Sequence, residues 1–137
     1  MPQNVPLDSG LVTLASAHSA AETISRLKSL LAEKKIQLFA EIDHAAAAEK
    51  VGLPMRATRV LIFGNPQAAT PLMQSRQTIG LELPLRVLVW EDQAGQVWLT
   101  YNQPKYLAER HHIADRDEAV KALDAGLAAL VRAASTK

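Results

Sequence analysis

Five side chains in this sequence pair a ligand-binding or reactive type with the edge of a predicted element: His44, Asn65, Thr70, Arg86 and Tyr101. His44 follows a strand end and opens a short helix. An imidazole there suits a general base or a ligand contact, held by Asp43 or Glu41. Arg86 lies inside an apolar strand, where a guanidinium needs an acid partner (Glu82, Glu41 or Asp43) or a bound anion. Its planar fork matches a carboxylate or phosphate. Gly64-Asn65-Pro66 is a tight turn without the lysine and glycine spacing of a phosphate loop. Thr70-Pro71 reads as an N-cap followed by proline at the first helical position, where free N–H groups favour an anion. Tyr101, Tyr106, Arg110, His111 and His112 cluster before the last helix and could line a polar pocket. The adjacent His111 and His112 point apart, there is no H-E-x-x-H helix, and no cysteine is present, so neither a metal site nor a cofactor is expected. No G-x-S-x-G or dinucleotide fingerprint occurs, and catalytic residues stay unassigned.

These residues depend on elements that the pattern places in order. Leu11–Ala17 is a candidate first strand. Ser19 and Glu22 form a capping box for a helix over about 19–35, with Ile24, Leu27, Leu30 and Leu31 on one face. Ile36, Leu38, Ala40 and Ile42 alternate with polar or outward positions, a period-two strand. Residues 43–51 are alanine-rich and predict a short helix, capped by Asp43 and stopped by Gly52. Arg59–Phe63 is a third strand, and Thr70 to about Gln77 a short helix. Leu85–Glu91 and Gln96–Tyr101 form a hairpin turned by Asp92–Gly95. An irregular or helical patch over 106–112 leads to a last amphipathic helix. Asp115 and Glu118 mark its start, and Val120, Leu123, Leu127, Leu130, Val131 and Ala134 form its stripe. The fold class is therefore α+β, a mainly antiparallel sheet of about five strands with two long helices on one face. Residues 1–10 read as a flexible tail and 11–134 as one domain.

The strands are apolar on both faces. A four-residue hairpin loop sets Trp90 opposite Val97, which puts Arg86, Leu88, Trp90, Val97, Leu99 and Tyr101 on one side. A sheet with one wet face alternates instead. Each large apolar side chain left wet forfeits roughly 1.5–3 kcal/mol, so the second face needs a cover. The expectation is partial cover by residues 43–52 and 66–84, completed by a two-fold homodimer.

Several spaced stretches agree with a known family. They are Ile42-Asp43-His44; Phe63-Gly64-Asn65-Pro66 with Thr70 and Leu72-Met73; Gly80 to Arg86; Tyr101-Asn102-x-Pro104; and Tyr106-Leu107 with Arg110-His111. Over about residues 11–131 the chain resembles the domain of unknown function 302 family, with Glu82 where that family more often carries aspartate. The resemblance implies a curved antiparallel sheet backed by helices, like one half of the TATA-box-binding protein. It implies no activity, and a fold alone assigns none.

Composition narrows the rest. The chain has 137 residues, 15 basic and 14 acidic, with 48% hydrophobic residues. That is the globular range for one domain. The near-neutral charge argues against a nucleic-acid partner. No apolar run approaches the roughly 20 residues of a membrane helix, and residues 1–10 do not read as a secretion signal, so a soluble cytoplasmic protein is expected. The expected function is binding of a small polar or anionic ligand by a homodimer, at His44, Asn65, Thr70, Arg86 and Tyr101. One alternative is an enzyme with His44 as base and Arg86 as anion clamp. The other is an interaction module that uses the second sheet face.

Overall fold

Helix formation starts where the capping pattern places it. In the computed structural model, which describes residues 9–137, the Ser19 hydroxyl accepts the Glu22 N–H at 3.1 Å and α1 runs Ala20–Glu33. The predicted tail falls mostly on residues 1–8, outside the described residues. The strands are β1 (Leu11–Ala15), β2 (Gln37–Asp43), β3 (Thr58–Gly64), β4 (Leu85–Glu91) and β5 (Val97–Asn102). They form one antiparallel sheet in the order β1-β5-β4-β3-β2. The other helices are α2 (His44–Lys50), α3 (Pro66–Ser75), α4 (Pro104–Arg110) and α5 (Asp117–Ser135), with a 3-10 turn at Gln77–Leu81. The α+β class and the two long helices on one sheet face are as the sequence predicts.

Three local readings change. The hairpin pairs Glu91 with Val97, leaving Asp92–Gln96 in the loop. Asp92 explains this: its carboxylate accepts the Ala94 and Gln96 N–H groups while its own N–H bonds the Gln96 carbonyl, and Gly95 supplies the positive φ of 86°. Period-two side chains change face with a one-residue slip, so Val97, Leu99 and Tyr101 join Val87 and Val89 rather than Trp90. Second, α3 begins at Pro66. Asn65 is the cap, accepting the Gln67 N–H at 3.0 Å, and Thr70 sits exposed inside the helix instead of starting it. A cap residue followed directly by proline satisfies the same requirement five residues earlier. Third, α5 starts at Asp117, because the Asp115 carboxylate binds the Ser75 hydroxyl and Arg116 rather than capping.

The core lies between the sheet and the two long helices. Leu27 and Leu31 of α1 and Leu127, Leu130 and Val131 of α5 bury Leu61, Phe63, Val87, Val89, Leu99 and Tyr101. Six such large apolar side chains, at roughly 1.5–3 kcal/mol each, dominate the stabilisation. A second cluster joins Leu72 of α3 and Ile79 of the 3-10 turn to Leu107, Ile113 and Val120. Arg26 of α1 closes the C-terminus of α5, donating to the carbonyls of Ala133, Ala134 and Thr136.

The opposite face carries Val60, Ile62, Arg86, Leu88, Trp90, Trp98 and Thr100. None of them is fully buried, and none belongs to either core cluster. The predicted cover by 43–52 and 66–84 is not there. Residues of α2 wall a groove against α1, while α3 and the 3-10 turn bury their apolar residues against α4 and α5. Leu72 and Ile79 thus go to the helix layer, where the deeper burial is available, while Val51 and Leu81 stay exposed.

Candidate functional site

An irregularity in β2 builds the site. The ladder pairs Leu38 with Phe63 and then Ala40 with Ile62, so Phe39 is an extra residue, 46% exposed. Such a bulge re-aims every side chain beyond it. Leu38 still faces the helices, but beyond the bulge it is Glu41 and Asp43 that share the helix side, while Ala40 and Ile42 turn away. Arg59 of β3 pairs with Asp43 in the ladder and faces the same way.

Three elements therefore bring charges together at a groove, which Lys28, Asp43 and Arg59 line and whose two cations Glu41 joins. Lys28 of α1 meets Glu41 at 2.8 Å, Arg59 meets Glu41 at 2.7 Å, and Arg59 meets Asp43 at 2.7 Å. The other Asp43 oxygen accepts the Ala46 N–H at 2.9 Å and caps α2, as the sequence predicts. The groove has a volume of about 1110 Å³ between α1 on one side and α2 with residues 54–58 on the other. Its α1 wall is small and polar (Ala21, Ser25, Ser29), and Ile24 and Val89 close its depth. The neighbouring Lys28 holds the Glu41 carboxyl below the ordinary carboxylate range, with Arg59 adding to it against the opposing effect of burial. The Ala46 N–H, then Arg59, lowers Asp43, and the two carboxylates raise Arg59, Glu41 foremost. The four groups follow one another in the alternating order +, −, +, −, at side-chain exposures of 22–45%. Such a floor can exchange an internal ion pair for a ligand's carboxylate, phosphate or ammonium without a large change in desolvation.

The residues singled out from sequence are dispersed. His44 is exposed at the start of α2 and is not among the groove's lining residues. Asn65 caps α3 and Thr70 lies inside it, beyond the far end of β3. Since His44 adjoins the Arg59 end of β3, roughly 20 Å of strand separates it from Asn65. Tyr101 is buried beneath the long helices, where desolvation pushes its hydroxyl pKa up. Arg86 is exposed on the opposite sheet face and donates to the Leu81 carbonyl at 3.3 Å, with no carboxylate partner among the described residues. Glu82, expected as its partner, binds Arg110 at 2.8 Å and the His111 Nε2. The His111 Nδ1 meets the Thr78 hydroxyl at 2.9 Å. This second cluster ties the 3-10 turn to the end of α4. Tyr106 lies instead against Gly10, whose φ of 81° and closeness to the ring leave no room for a Cβ. No group of three metal-ligating side chains gathers among the described residues.

Sequence reasoning missed Lys28 and Arg59 and gave Glu41 only a supporting part. Arg59 sat at the head of an apolar strand, and the bulge that lowers Glu41 beneath the helix has no marker in β2.

A family model described as "Domain of unknown function DUF302" matches residues 12–130. Two relatives, each described as "Fluoride-specific ion channel FluC 1", come from Brucella suis biovar 1 (strain 1330) and Brucella abortus biovar 1 (strain 9-941). Each is 46% identical over 130 residues, which is 94% of this chain and 51% and 48% of the relative respectively. The chain thus spans about half the length of the curated relatives it matches. The crystal structure of an uncharacterised conserved DUF302 protein from Bacillus stearothermophilus superposes with a TM-score of 0.74 at 20% identity, covering 93% of this chain and 96% of that one. At that identity the likeness concerns the fold.

Proposed function

The chain belongs to the DUF302 family, and from that premise we propose that it is a ligand-binding domain whose groove between α1 and α2 takes a small polar molecule with an anionic group. One observation carries the reading: Glu41, Asp43 and Arg59 occupy the helix-facing side of the sheet, where every neighbouring strand position is apolar, Lys28 meets them from α1, and the groove beside them stays open. Charges half out of water are costly, and a leucine row would close the groove at lower cost. Arg59 and Lys28 are the residues for the ligand's carboxylate or phosphate; Ser25 and Ser29 of α1 offer hydroxyls beside them. Native mass spectrometry of the protein taken from its own cells tests this, followed by thermal shifts with glutamate, citrate and inorganic phosphate. The expectation is a retained small molecule or a shift with one of these, lost in Arg59→Gln. A bare mass together with no shift would refute it.

No helix of the described residues is long and apolar enough to cross a membrane. We read the channel as the property of the part of those relatives outside the match, and this domain as the ligand-sensing neighbour fused to it there.

A second reading is favoured by the uncovered sheet face, where Trp90 and Trp98 stack with ring centroids 6.4 Å apart beside Leu88, Val60 and Ile62. Its occupant is a second copy of this chain. A two-fold pairing reverses the strands, setting Arg86 at one end of β4 against Asp92 of the partner at the other. Sedimentation of wild type and Leu88→Asp tests it: a dimer converted to monomer supports the pairing, and a wild-type monomer at 100 μM or so refutes it.

A further inference from the structure

A separate cleft opens at the other end of the sheet. Its depth is closed by Phe63, Leu127 and Leu130, and its volume is about 360 Å³. That is within the size range of small-molecule sites. It lies between α3 and α5, and small side chains keep the helices from filling it: Ala68 and Ala69 on one side, Ala122 and Gly126 on the other.

Gly126 is the informative residue. It sits mid-helix in α5, where glycine costs stability relative to any ordinary helix former. Its backbone gives no reason for it. Its φ is not in the left-handed region, and a Cβ built there meets nothing within 4 Å. A larger residue would thus improve the helix and fill the cleft, yet the position is open.

The rim is cationic. Lys34 lines the mouth, and among the described residues no carboxylate pairs with it. Asn65 also lines the cleft, with its oxygen engaged by the Gln67 N–H, which leaves its amide N–H groups as donors. An apolar chamber with one ammonium and an amide at its mouth is complementary to an amphiphile with a single anionic head.

We infer that this cleft is a second ligand site, specific for a medium-chain carboxylate whose hydrocarbon tail enters between α3 and α5 while its head meets Lys34. The site is independent of the α1–α2 groove, since the two share no lining residue.

Calorimetric titration of the full chain with butanoate, hexanoate and octanoate tests it. Each methylene buried contributes about 0.8 kcal/mol, so affinity rises about fourfold per methylene, or about fifteenfold for each two-carbon step. Octylamine should bind at least tenfold more weakly than octanoate. Lys34→Gln should weaken octanoate about fivefold while the methylene increment is unchanged. Gly126→Leu should abolish octanoate binding with a melting temperature equal to or above wild type, which separates a filled cleft from an unfolded one. Arg59→Gln should leave octanoate binding intact, whatever becomes of the groove's own ligand. Absence of octanoate binding, equal affinity along the chain-length series, or wild-type binding by a folded Gly126→Leu would overturn the inference.

Discussion

Replacing Glu41 by glutamine tests whether the groove floor is held electrostatically. The substitution keeps the shape and removes the charge that Lys28 and Arg59 share at 2.8 and 2.7 Å. Both cations remain partly solvated, so each bond ranks with the better surface pairs, about 0.5–1 kcal/mol, and the loss is about 1–2 kcal/mol. For a domain of 137 residues that lowers the melting temperature by roughly 5 °C. The pH dependence supplies the control. The Glu41 carboxyl lies below its ordinary value in the folded protein, so its contribution is complete above the unfolded carboxylate pKa. It fades as pH falls through the lowered folded value, because the folded state must then take up a proton it resists. Urea melts of both proteins at pH 7, 5 and 3 should show a full gap at the first two and a shrinking one at the last. A gap of the same size at pH 3 would mean that glutamine fails through packing, and the electrostatic account of the floor would be wrong.

Two further predictions concern register. Leu99 is fully buried and Leu88 half-exposed on the other face; Leu99→Ala should cost about 2–5 kcal/mol and Leu88→Ala under about 1 kcal/mol in dilute urea titrations, whereas equal costs would restore the four-residue hairpin. Deleting Phe39 removes the extra residue but leaves the pairs Leu38–Phe63 and Ala40–Ile62 possible in a regular ladder; the deletion should fold, and the acid-sensitive Glu41 contribution should persist in the same urea series, while its loss would show that the bulge itself is needed.

Much of this fold is fixed by local chemistry that a sequence displays. Ser19 caps α1, Asp43 caps α2, and the stripe from Val120 to Ala134 turns α5 to the sheet, because caps and apolar periodicity act within a few residues of chain. The strands show as short apolar runs bounded by turn residues, and the β4–β5 hairpin sets an antiparallel sense. What tertiary structure alone decided is which way the side chains face. Strands greasy on both sides carry no record of their inward face, so the Asp92 turn and the Phe39 bulge, each worth one residue of register, set it. That choice sent Arg86 out to solvent and Tyr101 into the core. It also gathered Lys28, Glu41, Asp43 and Arg59, from three separate elements, under one groove. Convergence of that kind depends on long-range pairing, which no local pattern encodes.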